Sequence, residues 1–167
     1  MFETVHDTIS RIRTWFLESQ GYWEEHFRVR CPACGYITDA DYKKGCSLSC
    51  KRCRTQIDPE QFAAIVLQRI KNQRNFFSGR RRYGKTFDIA IDRISYGTIK
   101  NRETVVFAVP FGTYQMRIKC GLRHTDVMVT VDRDNPLAYL QVYEHIGLIR
   151  RTIVVKDTDP TEMSLKS

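Results

Sequence analysis

The chain has 167 residues, and its 27 Lys and Arg against 19 Asp and Glu give a formal net charge of +8. Apolar residues make up 42% and charged residues 28%, a globular composition that excludes collagen, coiled coil and wholesale disorder. No apolar run approaches the roughly 18 residues of a membrane-spanning helix. The N-terminal residues lack the basic start and apolar run of a secretory signal, so we expect a cytoplasmic protein.

The positive charge is concentrated in one part of the chain. Residues 28–87 hold fourteen Lys and Arg but only four Asp and Glu. Such a basic region favours an anionic partner, such as nucleic acid, anionic lipid or an acidic protein. The plainer alternative is a solvated surface that keeps a small protein in solution.

The first predicted element is a helix over residues 2–20. Apolar side chains recur there at spacings of three or four, at Phe2, Val5, Ile9, Ile12 and Phe16. A lone helix of this length is marginal, so its apolar stripe should pack on the segment that follows or on a second copy of the chain. The second possibility predicts a homo-oligomer formed through the N-terminal helix.

The cysteines carry the strongest chemical signal. Cys31 and Cys34 form one C-x2-C pair, and Cys50 and Cys53 form another after 15 intervening residues. A two-residue spacer lets both thiolates of one tight turn face the same ion. Two such turns supply the four sulfurs of a closed tetrahedral zinc site. We therefore predict one structural Zn²⁺ held by these four residues.

Three alternatives remain open for the cysteines. Cys46 could replace Cys50 as a ligand, although the C-x2-C spacing favours Cys50. The cluster could stay metal-free as reduced thiols, since the missing signal argues against a disulfide framework. A catalytic zinc would need an open position, usually beside His or a carboxylate. With both pairs in place, residues 29–57 resemble a zinc ribbon, and this resemblance implies a metal-stabilised fold without a particular activity.

A second helix is predicted to start at residues 58–61, where Asp58 can cap and Gln61 completes a capping box. Phe62, Ile65, Val66 and Ile70 would form its buried face, and it should stop before Gly79. Its outward face and the residues after it carry the predicted contacts to nucleic acid or another anionic partner: Arg69, Lys71, Arg74, Arg80, Arg81, Arg82 and Lys85. A basic linker without a ligand is the alternative.

From residue 87 the pattern changes to alternating, β-branched segments. Strands are predicted at 87–92, 94–99, 104–109, 113–119, 125–131, 137–143 and 148–156, with a turn at 132–136. Spacing of this kind favours a small sandwich or barrel. Asp92, the turn at 97–101 and the corner at 109–114 resemble the PEGA-like small β-sandwich pattern. The resemblance covers residues 89–131 and implies a binding or spacer module, often on bacterial proteins.

An active site is not expected. Cys120, His124 and Asp126 would need a turn that brings them together, and a buried cysteine with a loop histidine is the simpler interpretation. The sequence therefore predicts an α+β protein: a helical zinc-ribbon domain at 1–78, a basic linker at 79–86, a β-sandwich at 87–156 and a disordered tail at 157–167. Its predicted function is non-enzymatic binding or adaptor activity, with a nucleic-acid-binding regulator of bacterial or phage origin as the alternative.

Overall fold

The computed structural model describes residues 27–40, 48–58, 62–71, 73–74, 86–147 and 151–158. Every regular element in these ranges is a β-strand. The strands are β1 (Phe27–Arg30), β2 (Ile37–Ala40), β3 (Leu48–Ser49), β4 (Gln56–Ile57), β5 (Phe62–Arg69), β6 (Gln73–Arg74), β7 (Thr86–Ile91), β8 (Ile94–Lys100), β9 (Thr104–Pro110), β10 (Gly112–Cys120), β11 (Arg123–Val131), β12 (Leu137–Ile146) and β13 (Arg151–Asp157).

The predicted α+β class is wrong, because the described residues contain no helix. The second helix is the clearest error, since the residues assigned to it form strand β5. All eight residues of β5 are buried. A strand with no exposed face reads as a continuous apolar run, which periodicity cannot distinguish from a buried helix segment.

The predicted oligomer contact through an N-terminal helix is also wrong for the described part of the chain, which offers no helix for it. Residues 2–20, where that helix was expected, lie outside the described residues. Among the residues that the structure describes, no helix has the length and apolar character needed to cross a bilayer.

Chain contacts separate two compact units. The first contains the described residues of Met1–Val66, Val105–Gly112 and Thr130–Ala138. In it, β1 pairs antiparallel with β2 and parallel with β9, and β9 pairs on its other side with β5. Strands β3 and β4 form a separate short hairpin. The apolar core of this unit gathers residues from both hairpins and from β5 and β9: Val29, Cys31, Cys50, Ile57, Phe62 and Ala108.

The second unit contains Leu67–Thr104, Thr113–Val129 and the described residues of Tyr139–Ser167. Its four-stranded sheet has the order β11-β10-β7-β8, and β12 pairs antiparallel with β13.

The segments expected to be strands from residue 87 onward are confirmed as β7 to β13, apart from 148–150, which lie outside the described residues. The boundaries predicted for the domains and the linker stay a prediction, because residues 75–85 are also outside.

Alternation of side chains explains why these strands were predictable. Along β7, Phe87, Ile89 and Ile91 are buried while Asp88 is exposed. A strand with one buried face has this period of two. The link from β7 to β8 is a two-residue turn, since Ile91 pairs with Ile94.

Candidate metal centre

The two C-x2-C pairs occupy equivalent loops of two β-hairpins. Loop 1 (residues 31–36) joins β1 to β2, and loop 2 (residues 50–55) joins β3 to β4. In loop 1 the Cys31 N–H donates to the Tyr36 carbonyl at 2.9 Å. In loop 2 the Cys50 N–H donates to the Thr55 carbonyl at the same distance. Each loop therefore starts with its first cysteine at the end of a paired strand.

A second hydrogen bond is repeated in both loops. The Gly35 N–H donates to the Cys31 carbonyl, and the Arg54 N–H donates to the Cys50 carbonyl, both at 2.9 Å. The donor residues have φ of 72° for Gly35 and 60° for Arg54. Positive φ reverses the chain right after the second cysteine, as the sequence indicated for Gly35. Loop 2 reaches the same conformation with a side chain present.

These loops bring four sulfurs together. The Sγ atoms of Cys31, Cys34, Cys50 and Cys53 all lie within 4.8 Å of one another. The shortest contacts cross between the hairpins, with Cys31 Sγ 3.6 Å from Cys53 Sγ and Cys34 Sγ 3.6 Å from Cys50 Sγ. A disulfide would hold its sulfurs at about 2.05 Å, so the four are free thiols.

The sulfur set fits a tetrahedral metal ion. With a metal–sulfur bond of about 2.3 Å, a regular tetrahedron separates its sulfurs by about 3.8 Å. The observed 3.6 Å contacts lie close to that edge. A four-sulfur tetrahedral donor set is typical of zinc or iron rather than of magnesium or calcium. The four cysteines can therefore bind one metal ion, and their sulfur ligands favour zinc or iron over magnesium or calcium.

The site is anchored in the apolar core on one side and open on the other. Cys31 and Cys50 are each 1% exposed and belong to the core of the first unit. Cys34 and Cys53 lie at the surface. Because each loop contributes one buried and one exposed sulfur, an ion bound here would join the core to both loops.

Backbone and hydroxyl groups favour the thiolate form of the second pair. The N–H groups of Cys53 and then Arg52 donate to Cys50 Sγ, and they lower the pKa of Cys50 to about 6 against the opposing effect of burial. The Arg52 nitrogen is 3.4 Å from that sulfur. The Thr55 hydroxyl and N–H lower the pKa of Cys53. Donors aimed at sulfur stabilise its negative charge, as metal ligation requires.

The pKa of Cys34 shifts in the opposite direction to those of Cys50 and Cys53. The Tyr36 N–H lowers the pKa of Cys34, but desolvation and the three neighbouring cysteine sulfurs outweigh it and raise the pKa to about 12. Hydrogen bonds between Cys34 and the neighbouring sulfurs favour the protonated form of Cys34. A bound metal would favour the thiolate form instead and release the proton.

Basic side chains surround the loops. Lys51, Arg52 and Arg54 are exposed on loop 2. The exposed Arg30 precedes loop 1, and its Nη2 lies 3.3 Å from the point where a Cβ on Gly35 would stand. These four cations exceed the charge of −2 that a divalent ion with four thiolates carries.

Of the other predicted site residues, the structure describes Arg69, Lys71 and Arg74. Arg69 is 1% exposed, with its guanidinium 3.8 Å from the Phe87 ring centre and Nη1 donating to the Ile99 carbonyl at 3.3 Å. Burial lowers the pKa of Arg69. Its expected position on an outward helix face is therefore wrong. Lys71 is exposed, and Arg74 lies on β6. The remaining basic residues, Arg80, Arg81, Arg82 and Lys85, lie outside the described residues, as does Cys46.

The second unit contains a buried ion cluster that was not predicted from the sequence. Glu144 is fully buried, with Oε1 2.5 Å from Arg123 Nη1 and 3.9 Å from Arg151 Nη1. Glutamate is rarely buried without a charged partner, but no sequence spacing revealed these partners. Cys120 lies near the cluster, and burial first, then the Glu144 charge, raises the pKa of its thiol. A raised pKa disfavours the thiolate form of Cys120, which is the form that reacts as a nucleophile.

In comparisons with protein families, curated proteins and solved structures, nothing matches this chain. The zinc-ribbon and PEGA-like resemblances therefore rest on the residues alone. The geometry of the four cysteines stands independently of them.

Proposed function

We propose that this protein is a non-enzymatic, zinc-stabilised binding module of the zinc-ribbon type. Cys31, Cys34, Cys50 and Cys53 hold one structural Zn²⁺ between loops 1 and 2. The observation that carries the proposal is the pair of 3.6 Å sulfur contacts between the hairpins, close to the tetrahedral spacing. Zinc is the preferred metal because a complete set of four thiolates is typical of structural zinc sites.

A binding role suits this site better than catalysis. Four protein ligands leave no coordination position for a water or a substrate, whereas catalytic zinc keeps one open. Among the described residues, no histidine or carboxylate joins the four-sulfur group. Free thiols require a reducing compartment, which supports a cytoplasmic location. The sheet formed by β11, β10, β7 and β8 would supply a second binding module, in line with the PEGA-like resemblance.

The metal would stabilise the first unit through its core. Cys31 and Cys50 pack with Val29, Ile57 and Phe62, so the ion would connect this apolar cluster to both hairpins. A two-residue strand pair such as β3 with β4 is not stable alone. The free energy of metal binding therefore becomes free energy of folding for this part of the chain.

Metal analysis of the purified protein tests the proposal. We expect one zinc per chain by inductively coupled plasma mass spectrometry, and a loss of stoichiometric zinc in Cys34→Ser, whose exposed sulfur can be replaced with little disturbance of packing. The matched control is Cys120→Ser, which alters a cysteine of the second unit and should keep the zinc. Wild-type protein that refolds with added zinc but retains none after dialysis would contradict the proposal.

A further inference from the structure

We propose that the loop surface, made of Arg30, Tyr36, Lys51, Arg52 and Arg54, binds single-stranded nucleic acid. The inference rests on the proposed function, because the metal ion would hold loops 1 and 2 side by side. It concerns residues different from the basic residues of 69–85 that the sequence indicated. Three observations carry it: the proximity of the two loops, their charge and the exposed aromatic ring.

The sulfur contacts place the two loops next to each other. The Tyr36 N–H donates to Cys34 Sγ, and the Arg52 N–H donates to Cys50 Sγ at 3.4 Å. The two sulfurs are 3.6 Å apart. With hydrogen bonds of ordinary length to sulfur, the backbone nitrogens of Tyr36 and Arg52 are at most about 11 Å apart. Side chains from both residues can therefore contact neighbouring nucleotides of one strand.

The charge of the loop surface is positive even with a metal bound. Its four Lys and Arg outweigh the −2 of a zinc tetrathiolate, leaving a local charge of about +2. The described carboxylate on β2, Asp39, is already engaged by Arg28, with Arg28 Nε 3.3 Å from Asp39 Oδ1. Guanidinium groups bind phosphate oxygens through two parallel hydrogen bonds, which suits Arg30, Arg52 and Arg54.

The aromatic ring distinguishes nucleic acid from other anions. Tyr36 is 43% exposed, one of three large hydrophobic side chains exposed among the described residues. The other two, Leu122 and Met128, belong to the second unit and have no ring. An exposed ring beside cations stacks on a base while the cations contact the phosphates. Bases of a duplex are already stacked, so a single strand is the partner that fits.

Fluorescence anisotropy with zinc-loaded full-length protein tests the inference. The probes are a fluorescein-labelled 20-nucleotide RNA of mixed sequence, the same sequence as single-stranded DNA, its duplex, and labelled polyglutamate. We expect both single strands to bind more tightly than the duplex, with an affinity that falls steeply with salt. The two single-stranded probes show whether the ribose or deoxyribose form is preferred.

The variants separate charge from stacking. Lys51→Glu, Arg52→Glu and Arg54→Glu combined should weaken binding at least tenfold. The matched control makes the same charge change elsewhere, at the exposed Arg93, Arg102 and Arg133, and should weaken binding less than threefold. Tyr36→Ala should weaken binding about fivefold or more, and Tyr36→Phe should restore it.

Zinc content, measured on every variant, keeps this inference distinct from the proposed function. Wild-type protein with one zinc per chain that binds no single strand would overturn the inference and leave the metal site intact. A combined Lys51→Glu, Arg52→Glu and Arg54→Glu variant that keeps both its zinc and its affinity for single strands would also overturn the inference. Equal binding of polyglutamate together with an unchanged Tyr36→Ala variant would replace nucleic acid by an acidic protein partner.

Discussion

Gly35 and Arg54 hold the same backbone conformation at the same position of two loops, with φ of 72° and 60°. An L side chain in this left-handed region costs roughly 1 kcal/mol, and only glycine avoids the cost. The equivalence predicts opposite effects of two substitutions. Gly35→Ala should destabilise the zinc-loaded protein by about 1 kcal/mol, since its Cβ would also stand 3.3 Å from the Arg30 guanidinium. Arg54→Gly should leave stability unchanged or raise it slightly. Urea denaturation in the presence of zinc measures both.

The pair serves as its own control, because the two changes act at matching positions. If Gly35→Ala proves neutral, or Arg54→Gly costs as much as Gly35→Ala, the two loops do not share the conformation described above.

The turn between β7 and β8 carries removable strain. Asp92 and Arg93 both have positive φ, 47° and 67°, where two-residue hairpin turns usually place Asn-Gly or Asp-Gly. The Asp92 carboxylate accepts a hydrogen bond from the Gln115 N–H at 2.9 Å, so this residue should be kept. Arg93→Gly should raise the free energy of unfolding by about 0.5–1 kcal/mol. Thermal unfolding measures the change.

Arg133→Gly is the matched control for this turn. Arg133 is also an exposed arginine in a turn, but its φ is not positive, so glycine there should lower stability. Equal effects of the two glycine substitutions would argue against strain at Arg93.

Because the carboxylate of Glu144 is buried beside Arg123, we expect Glu144→Gln to lower the stability of the protein substantially. Glu144→Gln removes the negative charge that faces Arg123 at 2.5 Å and leaves the guanidinium beside an uncharged amide. Breaking a buried ion pair from one side costs about 3 kcal/mol. Glu103→Gln, at a carboxylate that accepts a hydrogen bond from the Lys100 N–H in an exposed turn, should cost about 1 kcal/mol or less. Urea midpoints that rank the two variants the other way would refute this assignment.

The ion pair of Arg117 and Asp126 predicts that the stability of the protein depends slightly on pH in acid. Two hydrogen bonds, at 2.7 and 2.8 Å, join the guanidinium to the carboxylate and hold the pKa of Asp126 below its ordinary value of 3.8. A lowered native pKa stabilises the fold above the unfolded-state value, and this contribution is lost as pH falls through the native pKa. Wild-type should therefore exceed Asp126→Asn in stability at neutral pH, and the difference should shrink below about pH 4.

Urea midpoints of both proteins at pH 7 and pH 3 check this. Any metal is lost alike from both in acid, so the comparison between them remains valid. A difference that stays constant or grows in acid would show that the ion pair is not the cause.

Sequence reasoning succeeded where the determinants are local. The two-residue spacing within each cysteine pair fixes a turn that aims both sulfurs at one point, and the four sulfurs do cluster. The strands after residue 86 were predictable because one buried face leaves an alternating pattern, as in Phe87, Asp88 and Ile89.

It failed where distant partners decide. A helical start signal at 58–61 precedes β5, and the apolar spacing within β5 fits a helix, yet β5 pairs with β9 and is buried on both faces. Burial in a sheet overrides a capping box, which favours a helix only locally. The same burial placed Arg69 inside the protein. Glu144 was missed for a related reason, since its partners lie on other strands.

Zinc K-edge X-ray absorption of the purified protein tests the central claim most directly. The account predicts a first shell of four sulfur atoms at about 2.3 Å with no nitrogen or oxygen ligand. A shell with three or fewer sulfurs, or with an imidazole or water ligand, would contradict a closed site formed by Cys31, Cys34, Cys50 and Cys53.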